Sequence, residues 1–292
     1  MMPRSWLFVP GDSEKKLAKG AGTGADALII DLEDSVAAAR RPVGREMTCD
    51  YLRSADRSIA KLYVRINPLD TDDALKDLAG IIAGRPDGVL LPKAESVHDS
   101  HRLDHYLSAL EIAHGIEPGA TKIFALATET PGAMLTLEGY RNPNPRMTAL
   151  SWGAEDLSAA IGATTNRDET GNLAEPYRLA RSLCLMAAHA AQAQAVDTVH
   201  PDFRDDEGLR LHSGYARRDG FSGKIAIHPN QVAIINEAFT PSPEEVAHAQ
   251  AIIELFAANP DAGTLSLDGK MLDKPHLTQA ERVIAMATQA AR

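Results

Sequence analysis

Eight short apolar runs recur between Trp6 and Ile227, each separated from the next by sequence of helical character. They are Trp6–Val9, Ala27–Leu32, Lys61–Ile66, Gly88–Leu91, Ile123–Ala127, Ala149–Trp152, Ala195–Val199 and Lys224–Ile227. Near-continuous apolar runs of this length, bounded by turn residues, suit strands buried on both faces of a parallel sheet. Eight strand–helix repeats over residues 1–240 predict an α/β fold, a (β/α)8 TIM barrel. A doubly wound sheet also alternates, but no Gly-rich fingerprint follows the first run.

The remaining residues, 241–292, are expected to form a C-terminal helical extension and lid. Pro241 and Pro243 open a helix to about Ala258, Asn259–Gly263 is a turn, and Asp268-Gly269 is a two-residue turn. An amphipathic helix follows Pro275. With the barrel already closed, this segment has to cover a barrel mouth, its own or a neighbour's.

Composition removes several classes of function. Lys and Arg number 30 against 40 Asp and Glu, a net charge of −10, which argues against nucleic acid and anionic membrane surfaces as partners. No apolar stretch approaches the roughly 20 residues of a membrane span. The start, MMPRSWLFVPG, lacks the apolar core of a signal peptide. Cys49 and Cys184 have no metal-type spacing, so a reduced, cytoplasmic setting is expected.

Chemistry concentrates between Lys122 and Leu157. Two of the apolar runs empty into carboxylates: Glu129 after the first, Glu155 and Asp156 after the second. Thr130-Pro131 reads as the start of a helix between them. In a parallel barrel the strand ends lie side by side, so Glu129 and Asp156 either share one ion or cap the helices that follow. A pair of carboxylates completed by water and substrate oxygens is how Mg2+ is commonly held. Arg65, inside the third run, must meet an internal carboxylate or face a ligand, because an unpaired buried guanidinium is costly.

Other polar features carry less. The helix Ser13–Ala21, with Lys15, Lys16 and Lys19, is either a solvated face or a phosphate contact. His98, His101 and His105 fall near one helix face and read as solvated surface. His228, at the end of the eighth run, reads as structural rather than as a ligand or base. Leu179, Leu183 and Met186 form the stripe that the helix Glu175–Ala193 is expected to bury.

Nine motifs, in order, carry a resemblance across nearly the whole chain: LFVPG (7–11), DLEDSV (31–36), VRIN (64–67), LPK (91–93), ATETPGA (127–133), WGAEDL (152–157), DFRDDEG (202–208), AIHPNQV (226–232) and GKMLDKPHLTQA (269–280). They resemble the citrate lyase β-subunit-like proteins and the malyl-CoA and citramalyl-CoA lyases of the HpcH/HpaI aldolase superfamily. The resemblance implies Mg2+ on Glu129 and Asp156, and Arg65 on the substrate's carboxylate and keto oxygens. It also implies Lys19 on CoA phosphates and Asp273 as an acid–base residue presented over a neighbour's site. A homotrimer or homohexamer follows from that last point. Many relatives carry Arg just after the VPG turn, where this chain has Ser13.

The implied activity is Mg2+-dependent carbon–carbon cleavage, or formation, of a 3-hydroxyacyl-CoA thioester. Its products are acetyl-CoA or propionyl-CoA and a 2-oxo acid. Three alternatives stay open: a malyl-CoA-type thioesterase, a CoA-independent class II aldolase, and a non-catalytic subunit of a citrate lyase-type complex. For Asp273, flanked by Leu272 and Pro275, partial desolvation and proton transfer compete with simple capping of the helix that follows.

Overall fold

A computed structural model describes residues 2–290. Two compact units divide between Asn236 and Glu237. The first holds eight parallel strands: β1 (Ser5–Pro10), β2 (Ala27–Asp31), β3 (Lys61–Arg65), β4 (Gly88–Leu91), β5 (Lys122–Leu126), β6 (Met147–Ser151), β7 (Gln194–Asp197) and β8 (Gly223–Ala226). Each pairs with the next, and β8 returns to β1 through Trp6 opposite Ile225, so the barrel is closed. Strands of this kind are apolar throughout because inward side chains fill the barrel and outward ones meet helices. Ala27–Asp31, for example, is buried at every position.

Around the barrel run α1 (Glu14–Gly20), α2 (Arg41–Ser54), α3 (Asp72–Ile81), α4 (Val97–Ala113), α5 (Pro131–Thr136), α6 (Ala154–Ala160), α7 (Glu175–Ala190), α8 (Asp206–Asp219) and α9 (Asn230–Ala238). The inward layer includes Trp6, Ile29, Tyr63, Leu90, Phe124 and Ile225. Trp6 stands edge-on to Tyr63 and Phe124, with ring centroids 5.0 and 4.8 Å away. Such contacts make the barrel a packed core with no pore, leaving the strand ends as the place for chemistry.

Helix α7 corrects one expectation. Leu179, Leu183 and Met186 face outward, while Tyr177, Ala180, Cys184, Leu185, Ala187 and Ala188 are buried. Both stripes repeat with helical period, so periodicity alone does not say which one turns inward. Small residues won, because Ala and Cys let the helix backbone sit close against β6 and β7.

The second unit contains α10 (Pro243–Ala258), β9 (Thr264–Leu267), β10 (Lys270–Asp273) and α11 (Lys274–Ala290). Ser242 and Glu245 close a reciprocal capping box at the start of α10. The expected helical extension also contains a hairpin. β9 and β10 pair antiparallel across Asp268 and Gly269, whose φ values of 49° and 75° give the left-handed backbone a tight hairpin turn needs. Ile252, Phe256, Leu272 and Ala280 form this unit's own core. Among the described residues no helix is long and apolar enough to cross a membrane.

Candidate active site

At the C-terminal ends of the strands lies a cavity of about 660 Å3, lined in part by Lys19, Arg65, Glu129, Asp156 and His228. The residues singled out from the barrel sequence therefore share one space. Asp273 belongs to the second unit.

Glu129 follows β5 by three residues and is buried. It does not cap α5; Thr130 does, accepting the N–H of Ala133 at 3.1 Å. Burial, then the charge of Asp156, pushes the Glu129 carboxyl up to about 8, against the pull of the Lys93 backbone N–H. Gly153 makes room for it. A Cβ there would meet Cγ of Glu129 at 2.8 Å. Asp156 sits in the first turn of α6 with about a third of its side chain exposed.

Arg65, at the end of β3, realises both options the sequence left open: it is ion-paired and it faces the cavity. Its Nε and Nη2 donate to the two oxygens of Asp31, both at 2.7 Å, and its plane lies 4.6 Å above the Phe8 ring. Nη1 approaches Glu33 at 3.1 Å and Asp34 at 3.4 Å. Burial alone would raise the Asp31 carboxyl, but the guanidinium outweighs it and holds Asp31 below the usual carboxylate range.

Lys93, which closes the LPK motif and has nothing in the sequence to mark it as a site residue, ties the site together. Its backbone N–H donates to Oε2 of Glu129 at 2.6 Å, while Nζ meets Glu33 at 2.6 Å and Asp156 at 3.3 Å. A left-handed backbone, φ 49°, turns chain and side chain to opposite tasks. The LP before it marks a strand end, but nothing in the sequence announces that conformation.

Five carboxylates, Asp31, Glu33, Asp34, Glu129 and Asp156, thus surround two cations, Arg65 and Lys93. With Glu129 ionised the cluster is three negative charges in excess, an environment that favours a hard dication. Among the described residues no three His, Cys, Asp or Glu side chains converge on a metal position. Glu129 and Asp156 could hold an ion only with water or substrate completing its shell, a habit of Mg2+.

Elsewhere the expectations separate. Ser13 precedes α1 without a side-chain capping bond, and α1 presents Lys16 and Lys19 to the cavity. His228 stacks on Phe203 at 4.7 Å and accepts the Asn230 N–H at 3.2 Å, a structural bond on a ring that also lines the cavity. His98 and His105 are exposed and His101 half-buried, as a solvated face requires. Asp197, unremarked in the sequence, is buried against Lys224 at 2.7 Å and the Trp152 indole N–H at 2.9 Å, bracing the ends of β6, β7 and β8.

Asp273 closes β10 just before α11, and its side chain is 37% exposed in the single chain, so the expected desolvation is not present there. Its carboxylate meets the ring of His276.

The family model described as HpcH/HpaI aldolase/citrate lyase matches residues 4–229, the whole barrel. The chain belongs to the HpcH/HpaI aldolase/citrate lyase family. Within it, the citrate lyase subunit beta-like protein of Mycobacterium tuberculosis is 34% identical over 285 residues, covering 98% of this chain and 96% of that protein. The mitochondrial citramalyl-CoA lyase of Rattus norvegicus is 32% identical over 295 residues, covering 98% and 86%. Both are named for lyases or their subunits. A crystal structure of protein CitE from M. tuberculosis, in complex with magnesium, acetoacetate and coenzyme A, superposes with a TM-score of 0.78 at 34% identity, covering 98% of each chain.

Proposed function

We propose that the protein is a Mg2+-dependent lyase that cleaves, or in reverse forms, the carbon–carbon bond of a 3-hydroxyacyl-CoA thioester. The observation that carries this is the convergence of Glu129, Asp156 and Arg65 on one cavity, in a family whose named members are lyases. The fit to Mg2+ rests on the two carboxylates and the excess negative charge around them. Mg2+ bound there supplies Lewis acidity to the carbonyl and carboxylate oxygens of the 2-oxo acid.

The chain's own groups do the rest. Asp31 fixes the plane of the Arg65 guanidinium, so the arginine meets a substrate carboxylate already oriented, with little conformational entropy left to lose. Lys93 holds Glu129 in place from its backbone. Lys19 and Lys16 offer positive charge to phosphates at the cavity's edge. Asp273 is the acid–base group. In the condensation direction it takes a proton from the acyl-CoA methyl group, and the C–H electron pair becomes the enolate; in cleavage the proton returns to that carbon.

Protomers assemble as a homotrimer or homohexamer in this reading, so that one tail serves another barrel. Mixing Asp273→Asn with Arg65→Ala protomers, each inactive alone, then restores part of the activity; no recovery in proven mixed oligomers rejects that arrangement.

Purified protein is screened with Mg2+ against malyl-, methylmalyl-, citramalyl- and citryl-CoA, measuring 2-oxo acid and free CoA separately. Release of 2-oxo acid with an acyl-CoA supports the lyase. Free CoA without 2-oxo acid indicates a thioesterase. Turnover of CoA-free 2-oxo-3-deoxy acids alone indicates a class II aldolase, and inertness without an added carrier subunit indicates a non-catalytic subunit.

A further inference from the structure

The tail carries a second ionisable group whose placement beside Asp273 is too close to be incidental. His276 stands in the first turn of α11, and its Nδ1 lies 2.5 Å from Oδ1 of Asp273. Ordinary N–H···O bonds span about 2.7–3.2 Å, and two facing lone pairs at 2.5 Å repel strongly. One proton therefore lies between the ring and the carboxylate. The Asp273 backbone N–H lies 3.2 Å from the same ring nitrogen, whose one in-plane position the shared proton already takes, so this second contact is one of proximity.

The spacing follows from the local fold. Asp273 ends a strand and Lys274 begins a helix, so residues 273 and 276 stack across the first helical turn. Leu272, buried in this unit's core, anchors the strand end on which the pair is built. The pair stands alone: among the described residues neither side chain forms an ion pair with β9, α10 or the rest of α11.

We infer that His276 is a positioning residue for Asp273: its Nδ1 ties up Oδ1 and leaves Oδ2 as the oxygen that exchanges a proton with the thioester's α-carbon. This deepens the lyase reading and rests on Asp273 being its acid–base group. In the condensation direction Oδ2 accepts the proton while the C–H pair passes into the enolate; the carboxyl becomes neutral, and the ring keeps its contact to Oδ1, so Oδ2 stays aimed at the α-carbon without a second proton transfer. Without the ring, both oxygens are equivalent and the carboxylate rotates freely.

Two measurements test this on the full-length protein. The first follows exchange of the acetyl-CoA methyl protons in D2O with Mg2+ present. His276→Ala lowers the exchange rate and kcat about tenfold or more, the loss of one charge-assisted hydrogen bond, with KM nearly unchanged. His276→Gln, whose amide can donate to Oδ1, recovers a substantial part. Equal losses in both variants mean the residue is structural, and wild-type rates in both mean it has no role; either result overturns the inference. The second reads nitrogen-15 shifts of the His276 ring with no substrate present. The Nδ1 resonance of the native protein carries the signature of a shared proton and loses it in Asp273→Asn; an unchanged resonance overturns the inference even if Ala variants fold poorly. Asp273→Asn also separates the two claims: full turnover there defeats the reading of Asp273, whereas loss there with normal His276 variants defeats only the inference about the histidine.

Discussion

Gly153 and Glu129 touch so closely that the glycine has no room for a side chain: a Cβ would stand 2.8 Å from Cγ and 3.1 Å from Oε1 of the carboxylate. Gly153 therefore shapes the carboxylate's position from the neighbouring strand end. Gly153→Ala must displace Glu129, and the open cavity beside the carboxylate keeps the cost below the about 1–3 kcal/mol of overpacking a closed core. The expected result is Mg2+ binding weakened on the order of tenfold in calorimetry with the melting temperature little changed, since Glu129 faces a cavity into which it can move. Undiminished affinity would show that Glu129 does not bear on the ion.

Metal binding carries a pH signature. Glu129 is raised to about 8 in the metal-free protein. A carboxyl raised on folding contributes stability that is complete below its unfolded value of 4.5 and is lost as pH rises through about 8. An added dication reverses that preference and expels the proton. Mg2+ affinity should therefore climb between pH 6 and pH 8, by up to about tenfold per unit, and level off above. Calorimetry in buffers of different ionisation enthalpy should detect proton release in native protein and none in Glu129→Gln. Identical heats in all buffers would count against this account.

Barrel and sequence agreed closely where the signal was local. The run Gly88–Leu91 coincides with β4, and the other seven runs fall within two residues of their strands at each end, because a strand buried on both faces leaves little room for polar residues. Thr130-Pro131 and Asp268-Gly269 announced a helix start and a hairpin turn through their own backbone chemistry. Long-range facts were hidden. DLEDS shows acids, but not that Asp31 takes the bidentate side of Arg65 while Glu33 takes Lys93. The extent of α6 and the whole of α9 went unread, the first being two turns long and the second following His228-Pro229 without a clear stripe. Glu129 and Asp156 were legible as a pair because barrel topology forces successive strand ends together.

Arg65 has a structural and a chemical task, and substitutions can separate them. Arg65→Ala leaves Asp31 buried without its countercharge, which should cost about 3–5 kcal/mol in urea denaturation. Arg65→Lys keeps the charge but forfeits the two-point contact, so it should fold yet lose most of its kcat/KM, roughly a hundredfold. Near-normal turnover in the Lys variant would confine Arg65 to structure.

Charge on α1 should matter for binding and little for chemistry. Lys19 is exposed at the rim of the cavity. Lys19→Glu should raise KM for a CoA thioester about tenfold at low salt with kcat retained, and the difference should shrink as added salt screens the contact. A salt-independent difference would place the CoA phosphates elsewhere.

Lys93 gives its main chain to one acid and its ammonium to two others, all from a single left-handed turn. Glu129, Glu33 and Asp156 are thereby not free to vary one at a time. A change at any of them moves the lysine, and the lysine carries the disturbance to the other two. Substitutions within this trio should be strongly epistatic, with double mutants less damaged than the sum of the singles. A lineage shifting its substrate here would have to alter the acids in concert or leave them untouched, and vary the outer walls of the cavity instead.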